Sequence, residues 1–179
     1  NPHFIEKMAN SESSLMKEKE TPKLLTVARL NKPDKGYDIS LEACKLLKER
    51  GLDFKWYAIG RGEYRDEMNQ FIEENHLQDT FILLGTTPNP YPTIKDCTLY
   101  VQTSRHEGFG LSIAEARILN RPVVTTEFDA VYNQMVQGKN GIVVPQDPIA
   151  VADAIERVLK DKELYDSIVA YQKQEKKGN

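Results

Sequence analysis

The sequence predicts a doubly wound α/β domain, in which a parallel sheet is covered by helices on both faces. Short apolar runs rich in β-forming residues alternate along the chain with longer segments whose apolar residues recur at helical spacing. Successive strands are separated by enough residues for the crossover connections that parallel strands require. A chain of 179 residues with 40% hydrophobic content also suits one globular domain of ordinary size.

The first strand is predicted at 23–29, where KLLTVAR is short, apolar and rich in β-formers. A helix over 37–51 follows, because Ile39, Ala43 and Leu46 share one helical face before a glycine ends the pattern. Later strands are predicted at 54–60, 80–85, 98–104, 121–126 and 141–144. Later helices are predicted at 63–75, in the segment GFGLSIAEARIL, weakly near 130–136, and at 147–161.

Both ends of the chain are polar. We assign 1–21 to a linker with a first polar segment and 22–179 to the folded domain, with 10–21 and 172–179 expected to be linker and frayed tail. The chain opens with NPHF and no Met, so we expect it to be a piece of a longer protein.

Composition excludes several classes of function. The formal charge of −3, from 24 basic and 27 acidic residues, provides no overall field that would attract nucleic acid. No apolar run is long enough to span a bilayer, and no signal peptide pattern is present. Cys44 and Cys97 lack metal-ligand or redox spacing, which favours packing roles and a cytoplasmic location.

Candidate binding residues follow the predicted strands, where ligands bind in open α/β sheets. Arg29 ends the first strand, and Lys35 lies a few residues on. After the fourth strand, Gly108 and Gly110 permit close backbone approach at the start of a helix, whose free amides can hold an anion. A charge pair near the surface is worth about 4 kcal/mol and a helix terminus about 0.3–1 kcal/mol. We therefore expect the two cations to dominate the affinity for a phosphate.

A second glycine pair, in IGRGEYR at 59–65, does not predict a dinucleotide site. The third glycine of that fingerprint is replaced by Arg65, and no acidic residue ends a following strand at the required distance. We interpret the pair as a tight turn that brings backbone close to a ligand.

Six runs occur in an order and spacing that resemble the carboxy-terminal domain of glycosyltransferase family 4, the retaining GT-B enzymes also called glycosyl transferases group 1. They are LLTVARLNKPDKG, AIGRGE, FILLG, SRHEGFGLSIAEA, RPVVTT and GKNGIVV, within residues 22–160. Glu107 and Glu115 match the family's motif of two glutamates separated by seven residues. The opening NP also resembles the start of that family's interdomain linker.

The resemblance implies the donor-binding half of a glycosyltransferase. This enzyme would move a sugar from a nucleotide diphosphate sugar, with UDP expected, to a saccharide or lipid-linked acceptor in cell-surface polysaccharide synthesis. Arg29 and Lys35 would bind the donor diphosphate, and Glu107 would lie beside the transferred sugar; these three form the implied catalytic set. The other implied donor-binding residues are Gly60, Arg61, Thr87, Gly108, Phe109, Gly110, Leu111 and Glu115, the last for the ribose hydroxyls.

The resemblance also implies a reaction without a protein nucleophile, resting on leaving-group stabilisation and positioning. We expect no cofactor and no metal, because the sequence contains no Asp-x-Asp pair and the cationic side chains would take that role. His106 is expected to have a loop or packing role, because the family's important histidine lies in the other domain. The partners implied are the nucleotide sugar and the chain's own amino-terminal domain, through which alone the enzyme would contact the inner membrane face. By itself this half is expected to bind donor weakly and transfer nothing.

Some positions depart from the family. Asp129 and Ala130 stand where two glycines are usual, Asn133 replaces a glutamate and Asn120 a glycine, which puts the acceptor side in doubt. A non-catalytic nucleotide- or sugar-phosphate-binding module and half of a sugar-nucleotide epimerase stay open as alternatives. A receiver domain is disfavoured, because Arg29 stands where the first strand would need an acidic cluster.

Overall fold

The computed structural model describes residues 1–17 and 20–178. In this part of the chain one parallel sheet has six strands in the order β3-β2-β1-β4-β5-β6. The strands are β1 (Lys23–Val27), β2 (Lys55–Ile59), β3 (Phe81–Gly85), β4 (Leu99–Gln102), β5 (Val123–Thr126) and β6 (Gly141–Val144). The predicted doubly wound α/β class is confirmed.

Helices cover both faces of the sheet. They are α1 (Pro2–Ala9), α2 (Tyr37–Glu49), α3 (Arg65–Glu74), α4 (Tyr91–Asp96), α5 (Leu111–Ile118), α6 (Pro148–Lys160) and α7 (Lys162–Lys177), with a 3-10 turn at Val131–Asn133. Successive strand residues point to opposite faces, so Leu24 packs with α2, α3 and α6, and Leu25 packs with α1, α4 and α5. Because both faces are covered, the central strands are almost wholly buried.

The order of the strands creates a crevice between β1 and β4. The chain builds outward from β1 through β2 to β3 and then returns to place β4 on the other side of β1, where Leu24 pairs with Leu99. The connections after β1 and β4 therefore leave the sheet in opposite directions. Ligands of doubly wound proteins bind at this switch point, outside the carboxyl ends of the strands.

The predicted strands agree with the observed ones to within a few residues, but the ends of the chain differ from expectation. Helix α1 lies inside the predicted linker and buries Ile5 and Ala9. Helix α7 continues through the segment expected to be frayed, and Nε2 of its buried Gln172 donates to the carbonyl of Arg121 at 2.7 Å. Each helix has only two buried residues, and in α7 one of them is the polar Gln172. Residues 18, 19 and 179 of the predicted linker and tail lie outside the described residues.

The two cysteines have the packing environment that their spacing suggested. Cys44 and Cys97 are both buried and free. Burial raises the pKa of each thiol to about 12, so both remain protonated at neutral pH.

Candidate functional site

A cavity opens at the switch point between β1 and β4, and we call it the switch-point cavity. Arg29 and Lys35 reach it from the loop after β1, and Glu107 from the loop after β4. The first turn of α5 forms its opposite wall. The structure thus brings the two predicted cations, the first glutamate and the start of α5 together. Its lining residues are Val27, Ala28, Arg29, Lys35, Gln102, Glu107, Gly110, Leu111, Ser112 and Ile113.

A second cavity adjoins the first and shares Arg29 and Ser112 with it. It contains the predicted Gly60, Arg61 and Thr87, together with Thr86. A Cβ atom on Gly60 would lie 2.0 Å from the carbonyl oxygen of Ala28, so only glycine allows the turn after β2 to approach β1 this closely. The two cavities form a continuous groove along the carboxyl edge of β4, β1, β2 and β3.

The start of α5 is held open toward the cavity. Gly110 caps this helix at φ +80°, and no side chain caps its first turn. Gln134 Nε2 donates to the carbonyl oxygens of Phe109 at 2.8 Å and Gly110 at 3.0 Å, which anchors this loop. The first amides of α5 therefore remain available to an anion. Gln134 falls in the segment predicted as a weak helix, and no motif in the sequence indicated its role.

The two predicted cations differ in their surroundings. Lys35 Nζ forms an ion pair with Glu107 Oε1 at 2.8 Å, and the two side chains are only 20% and 14% exposed. Arg29 is exposed, and within the described residues its guanidinium has no ion pair or hydrogen bond. Arg29 is thus free to meet an anion, whereas the charge of Lys35 is balanced by a carboxylate.

The loops after β1 and β4 are fixed to one another. Arg105 forms two hydrogen bonds to the carboxylate of Asp38, at 2.8 and 2.7 Å, and this partner lowers the pKa of Asp38 below its usual value. A Cβ atom on Gly36, at φ +60°, would lie 1.9 Å from the carbonyl oxygen of Thr103. These contacts hold Lys35 against Glu107. His106, in the same loop, is exposed, and its amide donates to the carbonyl of Asp34 at 3.3 Å.

Three predicted residues do not line either cavity. Gly108 and Phe109 are exposed on the loop, with Phe109 56% accessible. Glu115 is buried on α5; this burial raises the pKa of its carboxyl, and a hydrogen bond from the hydroxyl of Tyr91 lowers it by less. Tyr91 begins α4, a helix that the proline-rich sequence concealed, and it was not predicted as a site residue. Gln102 and Ser104, which donate to Glu107, were also missed.

Comparisons with known proteins agree with this fold. The model of a family described as glycosyl transferases group 1 matches residues 8–175. Poly(ribitol-phosphate) alpha-N-acetylglucosaminyltransferase of Staphylococcus aureus is 34% identical over 63% of this chain and 23% of its own length. Poly(glycerol-phosphate) alpha-glucosyltransferase of Bacillus subtilis is 32% identical over 90% of this chain and 24% of its own.

A solved structure supports the same relationship. A variant of TarM from S. aureus, crystallised with UDP, alpha-GlcNAc-glycerol and fondaparinux, superimposes with a TM-score of 0.81 at 25% identity, covering 91% of this chain and 33% of TarM. The chain therefore spans about a quarter to a third of the length of these relatives. In the described part of the chain, no helix combines the length and apolarity needed to cross a membrane.

Proposed function

The chain belongs to the glycosyl transferases group 1 family, and we propose that it supplies the donor-binding half of a retaining glycosyltransferase. The observation that carries the proposal is the switch-point cavity, where Arg29, Lys35 and the uncapped start of α5 converge. Cations and helix amides directed at one point favour a diphosphate. The neighbouring cavity, around Gly60 and Thr87, has room for the nucleoside attached to it.

We propose a UDP-sugar as the donor. The S. aureus TarM variant was crystallised with UDP, and the two curated relatives are named for the transfer of N-acetylglucosamine and glucose to polyol phosphate polymers. Two further relatives are named for the biosynthesis of capsular polysaccharide and of colanic acid. For the whole enzyme we propose a saccharide or lipid-linked acceptor at the cytoplasmic side of the membrane.

In the proposed reaction, the bond between the sugar and the diphosphate breaks as the acceptor oxygen bonds to the same face of the sugar. The departing diphosphate takes the acceptor's proton. Arg29 and the first amides of α5 stabilise the negative charge that develops on the leaving group, and Lys35 adds its charge from the opposite wall. Glu107 accepts hydrogen bonds from the sugar. No side chain of this half acts as a nucleophile, and no metal or other cofactor enters the proposal.

The acceptor site belongs to an amino-terminal domain, and any contact with a membrane surface belongs there too. We propose that this chain alone binds donor weakly and transfers no sugar, because a half-groove without its facing domain neither orients an acceptor nor excludes water.

Titration of the chain with UDP, GDP and ADP, followed by thermal shift and amide NMR, tests the proposal. We expect UDP to raise Tm most, because ligand that binds only the folded state stabilises it by about 2.7 kcal/mol at 100 times Kd. Combining Arg29→Ala with Lys35→Ala should abolish the shift, whereas Arg157→Ala, which removes an exposed arginine on α6, should preserve it. Indifference of the wild type to all three nucleotides would refute donor binding and favour a module for another ligand.

A further inference from the structure

One carboxylate oxygen of Glu107 is fully engaged and the other is not. Oε1 accepts from Lys35 Nζ at 2.8 Å, from Ser104 Oγ at 2.7 Å and from Gln102 Nε2 at 3.1 Å. Among residues 1–17 and 20–178, no group donates to Oε2. Because Glu107 lines the switch-point cavity, the acceptor capacity of Oε2 is available to whatever enters it.

The donors to Oε1 are themselves held in place. One amide hydrogen of Gln102 is directed at Ser104 Oγ, at 2.7 Å, and the other at Glu107. The oxygen of the same amide accepts from the hydroxyl of Tyr100, also at 2.7 Å. With its oxygen turned toward Tyr100, Gln102 must present its NH₂ group to Ser104 and Glu107.

These polar groups form one row along β4 and the two residues that follow it. Tyr100, Gln102 and Ser104 alternate along the chain and are buried to 2% exposure or less. Burying hydroxyl and amide groups costs free energy unless each is hydrogen-bonded, and an apolar row would fill the same face without that cost. The row reaches the cavity at Gln102 itself and, through the bonds of Gln102 and Ser104, at the carboxylate of Glu107.

We propose that Ser104 and Gln102 are positioning residues that hold Oε1 of Glu107 and thereby present Oε2 to a hydroxyl group of the bound sugar. The inference rests on the proposed function, because it requires a sugar at this end of the diphosphate. A carboxylate that is already fixed loses less rotational freedom when the ligand binds, so the pre-formed network raises affinity for the sugar. Substitution of Ser104 or Gln102 leaves Arg29, Lys35 and the first turn of α5 unchanged, so binding of a nucleotide without sugar should not depend on these two side chains.

The test compares the affinity of the 179-residue chain for UDP with its affinity for UDP-glucose and UDP-N-acetylglucosamine, measured by amide NMR titration. We expect the wild type to bind one of the sugar nucleotides more tightly than UDP. Ser104→Ala and Gln102→Leu should each lower this preference roughly fivefold to tenfold, as expected for hydrogen bonds to a charged group, while UDP affinity stays within about twofold.

Two further variants separate positioning from folding. Ser104→Thr keeps the hydroxyl and should restore the wild-type preference. Thr125→Val removes another buried hydroxyl of the sheet, whose bond goes to the carbonyl of Thr126, and should leave both affinities unchanged.

The outcomes are distinguishable. Three outcomes would overturn this inference and leave the proposed function standing. In Ser104→Ala and Gln102→Leu, these are equal losses of UDP and UDP-sugar binding, or an unchanged preference for the UDP-sugar. The third is a wild type that binds UDP as tightly as its sugar conjugates. A wild type that binds no nucleotide would overturn the proposed function itself.

Discussion

Replacing Glu107 with glutamine should strengthen the binding of UDP, although Glu107 belongs to the proposed catalytic set. The carboxylate lies in the same cavity as Arg29 and balances the ammonium of Lys35, 2.8 Å away. Glu107→Gln keeps the shape of the side chain, removes one negative charge and leaves the charge of Lys35 unopposed. The cavity therefore changes from one net positive charge to two, counting these three side chains.

The size of the effect follows from Coulomb's law. A phosphate charge about 6 Å from the carboxylate is repelled by roughly 3 kcal/mol at an effective dielectric of about 20. Salt and the open side of the groove reduce this to about 1 kcal/mol, or roughly a fivefold gain in UDP affinity. The preference for UDP-sugars over UDP should fall in the same variant, because the charged acceptor for the sugar is lost.

Isothermal titration calorimetry at two salt concentrations measures both effects. The gain in UDP affinity should shrink at higher salt, because it arises from charge. Glu163→Gln, an equivalent change on the exposed first turn of α7, is the matched control and should leave UDP binding unchanged. Weaker binding of UDP by Glu107→Gln at both salt concentrations would refute the electrostatic account of the cavity.

Two further predictions concern stability. Gly36→Ala should lower the free energy of unfolding, measured in urea, by about 3 kcal/mol or more, because its Cβ would meet the Thr103 carbonyl oxygen at 1.9 Å. The control is Gly51→Ala, which is also at positive φ but has open space around it and should lose only about 1–2 kcal/mol. Equal losses in the two variants would contradict the role of the loop contact. Glu115→Gln should raise Tm at pH 7.5. Burial raises the pKa of Glu115, so the stability contributed by its protonated carboxyl is fully present below the unfolded pKa of about 4.5 and is lost as pH rises through the folded pKa. The difference in Tm between Glu115→Gln and wild type should therefore disappear near pH 4, and a difference independent of pH would show that the carboxylate's charge is not its cause.

The sequence predicted the parts of the molecule whose residues interact over short range or form a continuous pattern. Buried strands are short runs rich in apolar and β-branched residues, so β1 and β5 were recognised from the residues they contain. Arg29 and Lys35 could be placed near α5 because the strands before them end at one edge of the sheet. The fold class was predicted correctly for this reason, and the family was predicted correctly from the resemblance carried by the ordered runs and the Glu107 and Glu115 motif.

Contacts between distant segments could not be predicted in the same way. The bond from Gln134 to the loop before α5 joins segments more than twenty residues apart, and that from Lys35 to Glu107 joins residues 72 apart. Helix α7 resembled a polar tail because its stabilising contacts are side-chain bonds, such as Arg117 to Glu175 at 2.8 Å, rather than an apolar stripe. A single sequence carries no periodic signal for such pairs.

The local balance of charge explains how a chain with a net charge of −3 could form the proposed anion site. Of the two motif glutamates, Glu107 is neutralised by Lys35, and Glu115 is buried with a raised pKa, away from the cavity wall. Arg29 faces the groove without an ion pair within the described residues. In the proposed binding mode a diphosphate meets a positive side chain and helix amides first, because fields from exposed charges decay within about 8 Å at physiological salt. The acidic residues elsewhere on the surface consequently have little effect on the electrostatic potential of the site. The positions of Glu107 and Glu115 have a much larger effect on it.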